Sequence, residues 1–346
     1  MRLPASLYMN NCKIFQEIYK NHFQWDKVND VDVGGKGKAM ICSFELRYLG
    51  EASNHQQSFS YYDAVVSDAV YTIYRSGYSK FTLTDILRVM AMDEKIRFLT
   101  SKDRIQAREQ RLRDSMNRLK NTFISIDYSE EAEKRGLKDE SGTILEEPIG
   151  DYMIPVASHK DGKTFYFIED RELPLYQYAE MIRQVIGVKK EFLNPGELVK
   201  KILPDGDEKE RVLKNLKASN TDEMVMLKHI LIHRLEMMRN KNNLVKNRGT
   251  ILYYGVKSSD GILPLLGIHK DSYAQNLEII SDRGKVRTDS TGWKNKVNSV
   301  SKRIVAILDA YQACGYIGSY QVLRQDPRAL ARGVEILGGV HMLEIK

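Results

Sequence analysis

The sequence predicts an α+β protein that is rich in helix and contains two winged-helix-like domains in tandem. Helical periodicity followed by alternating strand patterns occurs twice, once in each half of the chain. A length of 346 residues also exceeds what one compact core usually fills. We therefore divide the chain into an N-terminal arm (1–50), a first winged-helix domain (51–190), a linker (191–219) and a second winged-helix domain (220–346).

The arm and the first domain are predicted from periodicity and helix caps. Apolar residues at helical spacing over 6–24 and a strand at 40–48 form the arm. The first domain has helices predicted at 61–74, 82–90 and 100–121, where Thr82, Asp85, Thr100 and Asp103 supply capping patterns. An acidic insertion (130–147) is predicted as a loop before the strands 152–158 and 164–169. Asp161-Gly162 is a hairpin signal between these strands.

The second domain follows a stretch rich in turn residues, 194–206. A helix is predicted from residue 221, a short strand at 250–254, a short helix at 260–266 and a long helix over about 292–314. Strands around Gly338-Gly339 complete the pattern. The order is the same as in the first domain: helices first, then a β-ribbon.

Positive charge is concentrated on one helix of each predicted domain. The formal net charge is +7, which favours a polyanionic partner. Between residues 95 and 120, nine basic residues face three acidic ones, and Leu112, Met116 and Leu119 form an apolar stripe beside a flank of basic and polar side chains. That division suits a helix in a DNA groove, although a solvated charged face is the alternative. The residues predicted to contact DNA from this helix are Arg104, Arg108, Arg111, Ser115 and Arg118.

The long helix of the second domain shows the same division. Seven basic residues face one acidic residue between 283 and 303, and Val297, Val300 and Ile304 begin the core stripe. Its predicted DNA contacts are Lys294, Lys296, Ser299, Lys302 and Arg303. His159, Lys160 and Lys163 surround the Asp161-Gly162 turn, where a wing tip would meet phosphate.

Catalytic and metal-binding patterns are not recognised in the sequence. His229 and His233 have the spacing of a zinc pair, but no glutamate follows the first histidine. The glycines at 34–37 lack the spacing of a nucleotide-binding loop. Three widely spaced cysteines fit a reducing compartment better than a disulfide framework. We predict no enzyme activity, cofactor or metal, neither a signal peptide nor a membrane span, and a cytoplasmic location associated with the nucleoid or a plasmid.

The order of elements resembles the plasmid and mobile-element replication initiators that have tandem winged-helix domains. The segments on which the resemblance rests are 62–71 with Phe81-Thr82 in the first half, and 303–311 with Gly315, Tyr316 and Ile317 in the second. Such initiators bind repeated origin sequences, open the neighbouring DNA and recruit host replication proteins. The resemblance therefore implies a sequence-specific protein whose partners are double-stranded DNA, host replication proteins and a second copy of the chain.

Three other functions stay open at this point. A winged-helix transcriptional regulator has the same DNA-binding elements, and an effector pocket would favour it. A DNA-processing enzyme would need a convergent cluster of carboxylates or histidines. A structural adaptor is the third alternative. The arm and the insertion 130–147 depart from the initiator pattern and leave the oligomeric state open.

Overall fold

Contacts within the chain divide it into Met1–Lys189, here unit 1, and Lys190–Lys346, here unit 2. Both units combine helices with antiparallel sheets, which confirms the predicted α+β class. The computed structural model describes residues 1–34, 39–51, 58–94, 102–161, 163–168, 171–216, 221–240, 250–255, 261–272, 290–326 and 329–343.

Unit 1 is built around a buried central helix. Its helices are α1 (Lys13–Tyr19), α2 (Tyr61–Arg75), α3 (Leu83–Ala91), α4 (Lys102–Asn121), α5 (Ser129–Arg135) and α6 (Pro174–Met181). Its strands are β1 (Ser6–Asn10), β2 (Val28–Asp32), β3 (Ile41–Tyr48), β4 (Lys80–Thr82), β5 (Thr122–Asp127), β6 (Ile149–Tyr152), β7 (Val156–Asp161), β8 (Lys163–Ile168) and β9 (Val185–Lys189). Helix α2 packs against α3, α4 and β1, and capping boxes at Ser60/Asp63 and Thr82/Asp85 fix the starts of α2 and α3.

Unit 2 contains two long helices, α10 and α12. Its helices are α7 (Lys190–Leu193), α8 (Pro195–Ile202), α9 (Asp207–Leu216), α10 (Asp222–Asn240), α11 (Ile262–Leu265) and α12 (Ser290–Ala313). Its strands are β10 (Thr250–Tyr253), β11 (Ile317–Leu323) and β12 (Gly333–Val340). Helices α8 and α9 pack against α12, and β11 pairs with β12 in an antiparallel hairpin.

The same topology occurs in each unit. In unit 1 the order α2, β4, α3, α4, β7, β8 gives a sheet in which β8 lies between β4 and β7. In unit 2 the order α10, β10, α11, α12, β11, β12 gives a sheet in which β12 lies between β10 and β11. In each of these sheets the strand that comes first in the sequence, β4 or β10, pairs with the strand that comes last, β8 or β12. The hairpin follows α12 directly in unit 2, whereas β5, α5 and β6 lie between α4 and the β7–β8 hairpin in unit 1.

Three predicted segments differ from the structure. The arm contributes β1, which pairs with β9, and β2 and β3, which extend a sheet with β5 and β6, so it is an integral part of unit 1. The predicted linker contains α7, α8 and α9, because Leu198 and Val199 are buried in unit 2. The insertion begins with α5, whose Glu131 is buried and accepts a hydrogen bond from the Tyr178 hydroxyl at 2.6 Å.

In the part of the chain that the structure describes, no helix is both long and apolar enough to cross a bilayer.

Candidate nucleic-acid interface

The apolar stripe predicted for α4 forms its buried face. Leu112, Met116 and Leu119 are fully buried in unit 1, and α4 packs against α2 and α3. The stripe therefore fixes which side of α4 faces the core. The side chains next to it show how much of the predicted basic flank is available to a partner.

Two of the predicted DNA contacts on α4 serve the interior instead. Ser115 is fully buried, and its Oγ donates to Asp63 Oδ1 at 2.6 Å. The Arg118 guanidinium pairs with the same oxygen, with Nη2 at 2.8 Å and Nε at 3.2 Å. The Ser60 amide and hydroxyl donate to Asp63 Oδ2, each at 2.7 Å. A buried carboxylate requires such partners, so both side chains are engaged inside unit 1, and their role as DNA contacts stays a prediction.

The remaining basic residues of α4 are divided between interior and surface. Arg108 is buried, with 8% of its surface exposed, so it too is unsuited to groove contact. Arg111 is exposed and its guanidinium lies 4.0 Å from the centre of the Tyr62 ring. The exposed side of α4 also holds Gln110, whose amide donates to Asp114 at 2.8 Å. Among the described side chains of α4, Arg111 is thus the exposed cation, and Arg113 and Lys120 are partly exposed.

For four of the predicted DNA contacts, the structure describes the backbone but not the side chain. The backbone of β7 and β8 brings His159, Lys160 and Lys163 to the closed end of their hairpin, where Asp161 pairs with Lys163. Gly162 at the turn lies outside the described residues. The Arg104 side chain on α4 is likewise outside the described part. These four residues stay predictions.

The core stripe predicted for α12 is confirmed. Its buried residues are Val297, Val300, Ile304, Ile307, Leu308 and Tyr311. At about 100° per residue these positions occupy one side of the helix. Asn295, Asn298, Ser299 and Lys302 fall on the opposite side, which remains open to solvent or only partly covered.

One flank of α12 is partly neutralised within unit 2. Glu223, near the start of α10, forms ion pairs with both Lys296 and Arg303. These two predicted DNA contacts hold α12 against α10. Lys294, on the other flank, is exposed. The angular positions of these residues around α12 did not distinguish the paired flank from the exposed one, because they do not show where α10 packs.

A cleft of about 640 Å³ runs along the solvent face of α12. Side chains from α12 line one wall, with Asn215 of α9 and Val322 and Arg324 of the β11 end on the other sides. The α12 residues lining it are Asn295, Asn298, Ser299, Ser301, Lys302, Val305, Ala306 and Asp309. The lining is therefore rich in amides and hydroxyls, with two cations among them.

Polar groups in this cleft are available to a ligand. Among the described residues, the side chains of Asn295, Asn298, Ser299 and Lys302 have no hydrogen-bond or ion-pair partner. Lys302 and Ser299 were predicted as contacts, and both line the cleft. The sequence analysis missed Asn298 and Asn215. The position of Asn298 opposite the core stripe was a usable signal, whereas nothing in the sequence places α9 beside α12.

The C-terminal end of the cleft is acidic. Asp309 accepts a hydrogen bond from the Tyr320 hydroxyl at 2.5 Å. Burial and the adjacent Asp309 raise the pKa of Tyr320 above its usual range, so Tyr320 stays a neutral donor. Arg324 donates to the Ala329 carbonyl at 2.6 Å, which anchors it in the turn after β11. The cleft thus has cations near its middle and rim and a carboxylate at one end.

The histidine pair is placed in the interior of unit 2. The rings of His229 and His233 lie 6.4 Å apart on α10. Burial, together with nearby His229 and Arg234, lowers the pKa of His233 to about 3. Among the described residues, no group of three or more His, Cys, Asp or Glu side chains is arranged to hold a metal ion.

Two solved structures match this chain over most of its length. No family model and no curated protein matches the chain. A crystal structure of RctB domains 2 and 3 matches with 10% identity and a TM-score of 0.32, covering 90% of this chain and 92% of that one. A selenomethionine derivative of the same domains gives the same identity and TM-score, with coverages of 92% and 93%. A TM-score of 0.32 is too low to support a conclusion about this chain.

Proposed function

We propose that this protein binds double-stranded DNA, with the solvent face of α12 in the major groove. The observation that supports this most directly is the cleft of unit 2, in which Asn295, Ser299 and Lys302 present unpaired polar groups on the face opposite a fully buried stripe. A groove-binding helix needs one face packed to fix its angle and another with free donors and acceptors. Helix α12 combines both properties.

The surroundings of α12 favour the same function. The β11–β12 hairpin follows the helix directly, as the wing of a winged helix does, and Arg324 at its end lines the cleft. A phosphate backbone passing between helix and wing would meet Lys302 and Arg324. These side chains favour nucleic acid over a small apolar effector, because amides, hydroxyls and two cations lie beside the apolar residues of the lining.

Unit 1 is expected to contribute less to binding. It repeats the topology of unit 2, which supports a tandem winged-helix interpretation. Its long helix nevertheless uses Ser115 and Arg118 in the core, and Arg111 is its exposed cation among the described side chains. We therefore assign unit 1 a secondary contact through Arg111 and the tip of the β7–β8 hairpin.

Within DNA-binding functions we propose the initiation of plasmid or mobile-element replication through origin repeats. Two units with one topology in a single chain suit a site longer than one groove segment. A transcriptional regulator stays the second candidate, and host replication proteins and a second copy of the chain stay proposed partners. Binding to repeated sites in origin DNA, with opening of the adjacent duplex, would separate the initiator from the regulator.

The test compares two lysine variants of unit 2. Lys302→Ala removes a cation from the cleft, whereas Lys200→Ala removes an exposed lysine of α8 that does not line it. Fluorescence anisotropy with a labelled duplex is measured over a salt series. We expect Lys302→Ala to weaken binding roughly 5-fold or more and to reduce the salt slope by about 1, as the loss of one phosphate contact does.

Lys200→Ala should bind as the unmodified protein does. Equal affinities and equal salt slopes for all three proteins would contradict the proposed interface. Failure of the unmodified protein to bind any duplex at low salt would contradict DNA binding itself.

A further inference from the structure

We infer that the unit 2 cleft selects adenine-containing sites, with Asn295 and Asn298 each recognising an adenine in the major groove. The inference rests on the proposed function and names the sequence class that the same face prefers. It goes further than DNA binding, for which the cations Lys302 and Arg324 would be sufficient. The two amides add information about bases.

The chemistry of the cleft matches adenine better than guanine. An asparagine amide offers one acceptor and one donor group side by side, which fit the N6 amino group and N7 of adenine. Guanine presents two acceptors and is read most often by arginine. The arginine of α12, Arg303, is held by Glu223 on the flank. Arg324, which also lines the cleft, donates to the Ala329 carbonyl. The two amides of α12 are thus the cleft side chains that pair a donor with an acceptor, as adenine requires.

Both amides are available and correctly spaced. Neither Asn295 nor Asn298 has a hydrogen-bond partner within the described residues, and both line the cleft. Three residues advance the helix by about 4.5 Å and leave the side chains about 60° apart. Successive bases of one strand are about 3.4 Å apart. The two amides therefore address neighbouring base pairs.

The charge distribution fixes the direction of the duplex along the cleft. Lys302 lies one turn beyond Asn298 and reaches the phosphates that flank the two bases. Asp309, two turns further along, carries the carboxylate to which Tyr320 donates. This carboxylate repels phosphate, so the duplex lies over the N-terminal part of α12, where the amides reach the bases and Lys302 reaches the flanking phosphates.

The experiment uses the full chain and a base analogue that lacks one atom. Duplexes that bind best are selected from a randomised pool, and each adenine is then replaced in turn by 7-deazaadenine, which keeps Watson–Crick pairing but removes N7. We expect two neighbouring positions at which this change weakens binding about 10-fold, within the range for loss of a bidentate contact. Asn295→Ala should lose the sensitivity at one position and Asn298→Ala at the other.

Asn215→Ala is the matched control, because it removes a cleft-lining amide on α9 and should keep both sensitivities. Sensitivities that persist unchanged in both α12 variants, or a wild-type protein that tolerates the analogue at every adenine, would overturn the inference while leaving DNA binding intact. The analogue series on the wild-type protein tests whether adenine N7 is recognised, even if a variant is unstable. Absence of binding to every duplex would overturn the proposed function as well.

Discussion

Removing the Arg118 side chain should destabilise unit 1 strongly, although this residue was predicted to contact DNA. Asp63 is fully buried, and Arg118 is its counter-charge at 2.8 Å, with 17% of the arginine side chain exposed. Arg118→Met keeps much of the aliphatic volume and leaves the carboxylate without a cation. Breaking a buried ion pair in this way usually costs about 3–5 kcal/mol.

The remaining hydrogen bonds reduce that cost. Ser60 and Ser115 still donate to Asp63 after the substitution, so we expect a loss of about 2–4 kcal/mol in the free energy of unfolding. Because Asp63 and Arg118 act as a pair, Asp63→Asn combined with Arg118→Met should cost less than the sum of the single variants by about 1 kcal/mol or more.

Tryptophan fluorescence provides an assay specific to unit 1. The chain has two tryptophans, Trp25 in unit 1 and Trp293 in unit 2. Trp25 stacks on Phe59 with ring centres 5.8 Å apart, and Phe59 directly precedes the start of α2. Urea unfolding is therefore followed through Trp25 in a Trp293→Phe background. A loss of 2–4 kcal/mol should lower the urea midpoint by roughly 1 M or more.

The outcome distinguishes two roles for Arg118. A structural residue lowers the midpoint and leaves the DNA affinity of the folded protein almost unchanged. An unchanged midpoint combined with weaker DNA binding would refute the reasoning and restore Arg118 as a DNA contact.

Three further predictions concern unit 2, each followed by urea unfolding through Trp293 in a Trp25→Phe background. Glu223→Gln removes the carboxylate shared by Lys296 and Arg303. Because all three side chains are partly exposed, we expect the free energy of unfolding to fall by about 1 kcal/mol. The variant should also steepen the salt dependence of DNA binding, and an unchanged slope would show that both cations stay away from DNA. The pKa of His233 is lowered to about 3 in the folded protein, whereas it is about 6.5 in the unfolded chain. The folded protein therefore favours the neutral imidazole, and the resulting stability is fully present above pH 6.5. This stability is lost as the pH falls from 6.5 towards 3. His233→Gln should flatten that dependence, and equal pH profiles would argue against a buried neutral histidine. The register of the β11–β12 hairpin shifts between Ile317 and Ser319. Gly318→Ala would place Cβ 2.9 Å from the Gly338 Cα atom, which should cost about 1–3 kcal/mol as an overpacked site. A midpoint equal to the wild-type value would show that the hairpin opens freely at this shift.

Local sequence signals determined most of the secondary structure. The capping residues Thr82 and Asp85 and the apolar periodicity of α4 and α12 are properties of neighbouring residues, and they needed no tertiary information. The same holds for the β-ribbon after each long helix. For this reason the α+β class, the repeated order of elements and the buried stripes could all be predicted.

Tertiary packing decided which basic and polar side chains are available. A helical wheel gives the angle of Ser115, Arg118, Lys296 and Arg303 relative to the core stripe, but not the element that packs beside them. Asp63 and Glu223 are distant in the sequence from the side chains they bind, and they turned both flanks into internal contacts. Local periodicity contains no information about such long-range pairs.

Long-range pairing likewise decided how the terminal and connecting segments are used. Strand β1 meets β9 across almost the whole of unit 1, and the predicted linker folds into helices because Leu198 and Val199 find an apolar surface there. The sequence by itself determined the elements and their apolar faces. The tertiary structure decided which charged side chains remain free on the surface, because the fold brings carboxylates that are distant in the sequence, such as Asp63 and Glu223, beside them.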